Sequence, residues 1–305
     1  MSKCNRLGTT VIDALTLCYV AEGALLEDLR SIESVREYGK FIFHRTKGKI
    51  FAQQFNVLNE GRKIARFYFD NYSSEKFAPY VWIRMENHIL YNRQMLLDTL
   101  SLATLFDLSF NNFTDIDLAR DFTFDITQIV RSLMRNANVQ TIFNGKEIKD
   151  RKEVINNIYR TCGMSLERDG RKGITIKQRK AEKNKNQGIT IAGYNKYEEI
   201  KSGYDNNRCL PITTNNCCAG KIHKDFILDF YGNPKTLHRW EVRLHNETIK
   251  HICNLTKIPY ELDIIFNQDI LDTIYIAALE RVLRFRKRKK KIEWEDIFLR
   301  SGRVR

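Results

Sequence analysis

The chain has 305 residues, of which 51 are Lys or Arg and 37 Asp or Glu, giving a formal charge of +14; 43% are apolar. That length and apolar content can bury one large core or two, which excludes an intrinsically disordered chain. The cationic excess favours a polyanion or an anionic surface as partner.

Seven cysteines are spread thinly and are odd in number, which fits reduced thiols in a cytosol rather than a disulfide framework. No apolar segment follows a basic start, and no run of about 18 apolar residues occurs. A signal peptide and a transmembrane helix are therefore not expected, and the chain is expected in the cytoplasm without a membrane partner. There is no P-loop, so ATP-driven unwinding by this chain is not expected, and no nucleophile-elbow or H-E-x-x-H motif occurs.

Residues 11–30 read as a helix or a strand–helix pair. The pattern turns β-like from Tyr38 to Asn56, with Thr46-Lys47-Gly48-Lys49 as a hairpin turn. Residues 64–70 alternate, and 79–91 form the next strand. Residues 93–108 carry apolar residues at helical spacing. Residues 113–124 return to strand alternation, and Asp125 caps a helix over 126–136. Residues 174–197 read as a hairpin whose lysine-rich turn spans Lys177 to Lys185. Residues 201–221 read as an irregular excursion, and 236–245 as a further strand. Beyond Asn246 the chain reads as helical, with an apolar stripe through Leu271, Ile274, Ala278, Val282 and Phe285. A basic run, Arg284 to Lys291, follows. Mixed antiparallel strands and helices make the expected class α+β.

Successive strand residues point to opposite faces. In 237–245 one face holds His238, Trp240, Val242 and Leu244, and the other Arg239, Glu241, Arg243 and His245. In 114–122 one face holds Thr114, Ile116, Leu118, Arg120 and Phe122. The other holds Asp115, Asp117, Ala119 and Asp121. Aspartates are poor strand formers, and close carboxylates repel unless a cation sits among them. A divalent metal supplies that charge, and so does a neighbouring Arg or Lys on a solvent-facing strand. In 189–197, Thr190, Ala192, Tyr194 and Lys196 share a face, and Gly193 leaves room for close approach. Taken together, the strands carry what a phosphodiester transfer needs: carboxylates for a metal, cations to offset charge, and a tyrosine oxygen to attack.

The ordered segments FTDIDLARD, GITIAGYNKYEEI and LHRWEVRLH resemble the trans-acting replication initiation proteins of rolling-circle plasmids and some filamentous phages. The resemblance covers about residues 113–245. It implies a curved antiparallel sheet with flanking helices, related to other rolling-circle nucleases. The implied activity is origin-specific nicking, with a tyrosine linked to the 5′ phosphate and a free 3′ hydroxyl left to prime synthesis. By the same resemblance Tyr194 matches the nucleophile, and Asp117, Asp121 and Glu241 match the ligands of magnesium or manganese. Lys196, Arg239 and Arg243 would offset the charge of the phosphate, and Glu199 matches a second acid of the tyrosine strand. Asp115 stands where the family carries an arginine. Implied partners are plasmid or phage origin DNA and a host superfamily-one helicase; a homodimer is left open.

Two basic stretches are expected to face DNA: Lys177, Arg179, Lys180, Lys183 and Lys185 in the hairpin, and Arg284, Arg286, Lys287, Arg288 and Lys289 near the C-terminus. Cys209, Cys217, Cys218 and His223 lack the paired spacing of a structural zinc site and read as free thiols in a loop. The expected division is an N-terminal α+β region (1–112), a catalytic sheet (113–246) and a C-terminal helical basic region (247–305). The rival to the nickase is a basic replication regulator that binds DNA or RNA without chemistry. A tyrosine recombinase is the third reading.

Overall fold

The computed structural model describes residues 6–71, 79–148, 173–177, 188–205 and 225–299. The chain divides into two compact units. One comprises Met1–Ile12, Asp117–Asn206 and Ile227–Arg305, and the other Asp13–Ile116 and Asn207–Phe226.

The Asp13–Ile116 unit is built on antiparallel strands in the order β1-β6-β5-β4-β3-β2. They are β1 (Thr10–Val20), β2 (Val35–Tyr38), β3 (Phe41–Arg45), β4 (Phe51–Asn59), β5 (Arg62–Asn71) and β6 (Tyr80–Met85). Their register sets Phe43, Val57 and Ala65 in one row, and Phe55, Phe67, Ile83 and Leu17 in the next. All are buried, so one face of this sheet is core. Helices α1 (Gly23–Arg30), α2 (Asn87–Leu90) and α3 (Arg93–Leu105) accompany the sheet. Asn92 caps α3 by accepting from the Gln94 and Met95 amides. The chain leaving α3 lays Phe106 against Phe43 and Phe67 at 5.5 and 6.0 Å between ring centroids. Fully burying each such ring stabilises the fold by about 1.5–3 kcal/mol. Residues 11–30 are thus a strand and a helix, and the strand expected over 79–91 ends at Met85, just before α2 begins at Asn87.

The other unit orders its strands β10-β11-β12-β7-β1. Here β7 is Ser109–Phe122, β10 Ile174–Lys177, β11 Thr190–Asn195 and β12 His238–His245. The described helices are α4 (Ile126–Arg135), α5 (Lys196–Asp205), α6 (Asp225–Phe230), α7 (Asn246–Thr256), α8 (Gln268–Val282) and α9 (Trp294–Leu299), with a 3-10 turn at Leu262–Phe266. The first two residues of α6, and parts of β1 and β7, belong to the other unit. Asp125 caps α4 by accepting from the Gln128 amide, as the sequence predicts. The core joins Trp240 of β12 to Trp294 of α9, and the Tyr275 hydroxyl donates to the Trp240 carbonyl at 2.8 Å.

The C-terminal basic run also differs from expectation. The basic run after α8 is not a helix end but a β-hairpin, β13 (Leu283–Lys287) and β14 (Lys290–Ile292). It joins β8 (Val139–Phe143) and β9 (Lys146–Ile148) in a second sheet ordered β14-β13-β8-β9. The residues expected as a separate C-terminal helical region, 247–305, lie in the same unit as the aspartate, tyrosine and glutamate strands. Among the described residues no helix is long and apolar enough to cross a membrane.

Candidate active site

The site lies within the Asp117-containing unit, on three neighbouring strands. β12 runs between β11 and β7. Its register with β11 sets Thr190 opposite Arg243, Ala192 opposite Glu241 and Tyr194 opposite Arg239. Directly opposed residues share a face, so Tyr194 stands on the charged face of β12. The apolar residues of β12 fill the other face, where Trp240, Val242 and Leu244 are fully buried.

Gly193 fixes how closely the tyrosine strand packs. A Cβ at this position would lie 2.2 Å from Trp240 Cζ3 and 2.8 Å from Thr127 Oγ1. Only glycine lets Trp240 and α4 close against the back of Tyr194.

The Tyr194 hydroxyl donates to Glu241 Oε2 at 3.0 Å, and Lys196 Nζ donates to the Tyr194 oxygen at 3.5 Å. Lys196 is the first residue of α5 rather than part of the strand, and its side chain is 1% exposed. A buried ammonium needs a counter-charge, and Glu199 supplies it at 2.8 Å, one helical turn on. Glu199, expected as a second acid of the tyrosine strand, lies instead in α5, where it balances the Lys196 charge. The phenol sits between a carboxylate that can take its proton and an ammonium that can stabilise its oxygen once the proton has gone.

Two arginines serve the aspartate strand, and they serve it differently. Arg239 Nε and Nη2 donate to the two carboxylate oxygens of Asp121 at 2.8 and 2.6 Å, with both side chains at 0% exposure. Arg243 Nε and Nη2 donate to Asp117 at 2.9–3.0 Å, and Nη2 also lies 3.6 Å from Glu241 Oε1. The Arg243 side chain is half exposed.

Of the expected site residues, Tyr194, Lys196, Glu241, Arg243 and Asp117 form one linked set. Asp121 and Arg239 form a closed, solvent-free pair. Among the described residues no three His, Cys, Asp or Glu side chains converge to hold a metal ion. The donors that fit a divalent cation are Asp117 and Glu241, joined through one solvent-accessible guanidinium. Magnesium commonly takes only one or two carboxylates and completes its shell with water and phosphate oxygens. Asp121 does not fit, because both its oxygens accept from a buried guanidinium. That narrows the three-carboxylate set expected from sequence to two.

Sequence reading missed a third buried cation among the described residues. Arg120, on the core face of β7, is 4% exposed. Its guanidinium donates to Thr10 Oγ1, Asp272 and Glu295. An arginine in an otherwise apolar row signals a need for carboxylates, but not which ones.

Among the residues expected to face DNA, Arg286, Lys287, Arg288 and Lys289 are exposed on the C-terminal hairpin, while Arg284 is half-buried. Lys177 is placed by its backbone at the end of β10, opposite Thr190. Arg179, Lys180, Lys183 and Lys185 lie outside the described residues, as do Cys209, Cys217, Cys218 and His223. Cys18 and Cys253 are buried free thiols.

No protein-family profile matches the chain, and no curated protein matches it. Among solved structures it is similar to a rolling circle replication initiator protein from Geobacillus stearothermophilus. The identity is 11% and the TM-score 0.39, over 95% of this chain and 94% of that one. A likeness this loose transfers no residue's role.

Proposed function

We propose that the chain is a replication initiator of the rolling-circle type, which nicks a plasmid or phage origin through attack by Tyr194. The observation that carries this reading is the Tyr194 phenol held 3.0 Å from the Glu241 carboxylate and 3.5 Å from the Lys196 ammonium. A free phenol, with an ordinary pKa near 10, is a weak nucleophile at neutral pH. Here Glu241 accepts the phenol proton as the oxygen attacks phosphorus, and Lys196 offsets the phenolate charge. Arg243, half exposed beside them, offsets the charge that develops on the phosphate oxygens. The bond from phosphorus to the 3′ oxygen breaks, and that oxygen takes a proton from water. A 5′-phosphotyrosine and a free 3′ hydroxyl result, a substrate for polymerase and for a host superfamily-one helicase.

Asp117 and Glu241 would hold magnesium or manganese, which when bound supplies Lewis-acid stabilisation of the phosphate. Arg243 must turn away from Asp117 for that; its half-exposed guanidinium stays hydrated as it does, and the cation takes over as the counter-charge of the buried carboxylate.

The closed Asp117–Arg243 pair is also what a binding protein without chemistry would show, so the two readings are put to one test. Supercoiled plasmids carrying segments of the replicon that encodes the chain are incubated with wild type and with Tyr194→Phe. The nickase reading predicts divalent-dependent conversion to open circles by wild type and none by the variant. Equal nicking by Tyr194→Phe would remove Tyr194 from the reaction. DNA binding indifferent to a chelator, with no nicking by either protein, would establish the regulator.

A further inference from the structure

The Asp13–Ile116 unit buries one face of its sheet; the other face carries a different kind of order. Register places Gln54, Tyr68, Trp82 and Cys18 in one row across β4, β5, β6 and β1. Two residues along each strand, it places His44, Asn56, Arg66, Arg84 and Thr16 in a second row. The rows lie roughly 6.6 Å apart, from about 3.3 Å of strand rise per residue. Tyr68 and Trp82 lie with their rings parallel, at 7° and 6.2 Å between centroids. Phe51 closes on both rings, at 4.5 and 5.2 Å, and Tyr80 extends the patch beyond Trp82 at 6.2 Å. Phe51, Tyr68 and Trp82 are half-buried, while Tyr80, Arg66 and Arg84 are exposed. Acidic groups are few here: Glu86 pairs with Lys63 at 2.7 Å and reaches Arg66 at 3.8 Å, and the Asp115 charge acts on Tyr68.

We infer that this face is a stacking platform for single-stranded DNA. Flat rings held on a sheet accept unpaired bases of any sequence, and an adjoining row of guanidinium groups follows the phosphates. Duplex DNA fits poorly, because its bases present no free faces. The +14 charge of the chain favours a polyanion over a peptide or a second copy of this chain. The inference goes beyond nicking, since binding here needs none of the Tyr194 chemistry.

The test is a titration of the full chain with an oligothymidylate of about 20 nucleotides, a length that spans one or two typical single-strand sites. Labelled DNA reports anisotropy while the protein reports tryptophan fluorescence. The chain has three tryptophans, and Trp240 and Trp294 are 0% and 1% exposed, so quenching on binding reports Trp82. Expected are quenching, a loss of affinity of about tenfold in Trp82→Ala, and near wild-type affinity in Trp82→Phe. Arg84→Gln, at an exposed position that the fold tolerates, weakens binding too and lowers its salt dependence. Binding is read at Trp82 and nicking at open-circle formation, so loss of one signal without the other separates failure of the platform from failure of the nickase. The inference is overturned if DNA binds without quenching, or if Trp82→Ala binds normally. Tighter binding of duplex DNA or of an RNA strand than of single-stranded DNA also overturns it, as does patch-dependent self-association in sedimentation without DNA binding.

Discussion

At the scale of single residues, magnitude separates the two arginine–aspartate pairs. Asp121 and Arg239 are both out of contact with solvent, and removing one partner of such a pair strands a buried charge at a cost of about 3–5 kcal/mol. Arg243 is 52% exposed where Asp117 is 7% exposed, so this guanidinium stays in contact with water and losing the contact leaves no fully desolvated cation behind. The first pair is scaffold; the second can open for a phosphate. Arg239→Met is therefore expected to lower the unfolding free energy in urea by about 3–5 kcal/mol, and Asp121→Leu added to it to recover most of that loss. A loss within about 0.5 kcal/mol for Arg239→Met alone would contradict the assignment. Period-two alternation placed Asp117, Asp121, Glu241, Arg243 and Tyr194 on common faces from the sequence alone. Which arginine serves which aspartate depends on the register of strands more than 100 residues apart, which alternation does not carry.

Tyrosines make a second residue-scale prediction. Burial pushes the Tyr275 phenol well above its ordinary value and raises Tyr19 as well. A raised folded pKa contributes stability that is complete below the unfolded value near 10 and is lost as pH climbs beyond it. Unfolding free energy should therefore hold from pH 7 to about 9, then fall by about 1.4 kcal/mol per pH unit for each buried phenol. The Tyr19 hydroxyl is buried without a hydrogen-bond partner among the described residues. Tyr19→Phe should then stabilise the fold by about 1 kcal/mol and flatten the alkaline slope; an unchanged slope would contradict this.

At the scale of elements, the C-terminal hairpin shows where pattern reading fails. The stripe Leu271, Ile274, Ala278, Val282 and Phe285 has helical spacing, yet α8 stops at Val282. Leu283 and Phe285 are buried because they alternate in β13, not because they continue the helix. Over three residues the two periods cannot be told apart. Arg288 and Lys289 form the two-residue turn, both left-handed at φ 50° and 66°. Non-glycine residues pay for that conformation, by roughly 1 kcal/mol each. Replacing them with Asn and Gly should raise stability by about 1–2 kcal/mol while lowering the salt slope of DNA binding by about 2. A stabilised hairpin with an unchanged salt slope would show that the tip does not meet DNA. The Asp125 cap was legible because a single local residue type decides it.

At the scale of the whole chain, the break between the two compact units falls within β7, at 116/117. What the sequence hid is that the C-terminal residues complete the unit bearing Tyr194. Arg120 reaches Asp272 and Glu295 across 152 and 175 residues, and Tyr275 bonds the backbone of Trp240. Such pairings have no local signal. The outer face of the Asp13–Ile116 strands was equally hidden, because its two rows exist only once five strands are in register.

The central claim is that the Tyr194 oxygen becomes bonded to a 5′ phosphate. It is tested most directly by trapping the wild-type chain on cleaved DNA, digesting the complex and locating the nucleotide-bearing residue by mass spectrometry. The account predicts the modification on Tyr194. A modification on Tyr197, Tyr204 or any other side chain, or nicked DNA with no covalent protein, would contradict it.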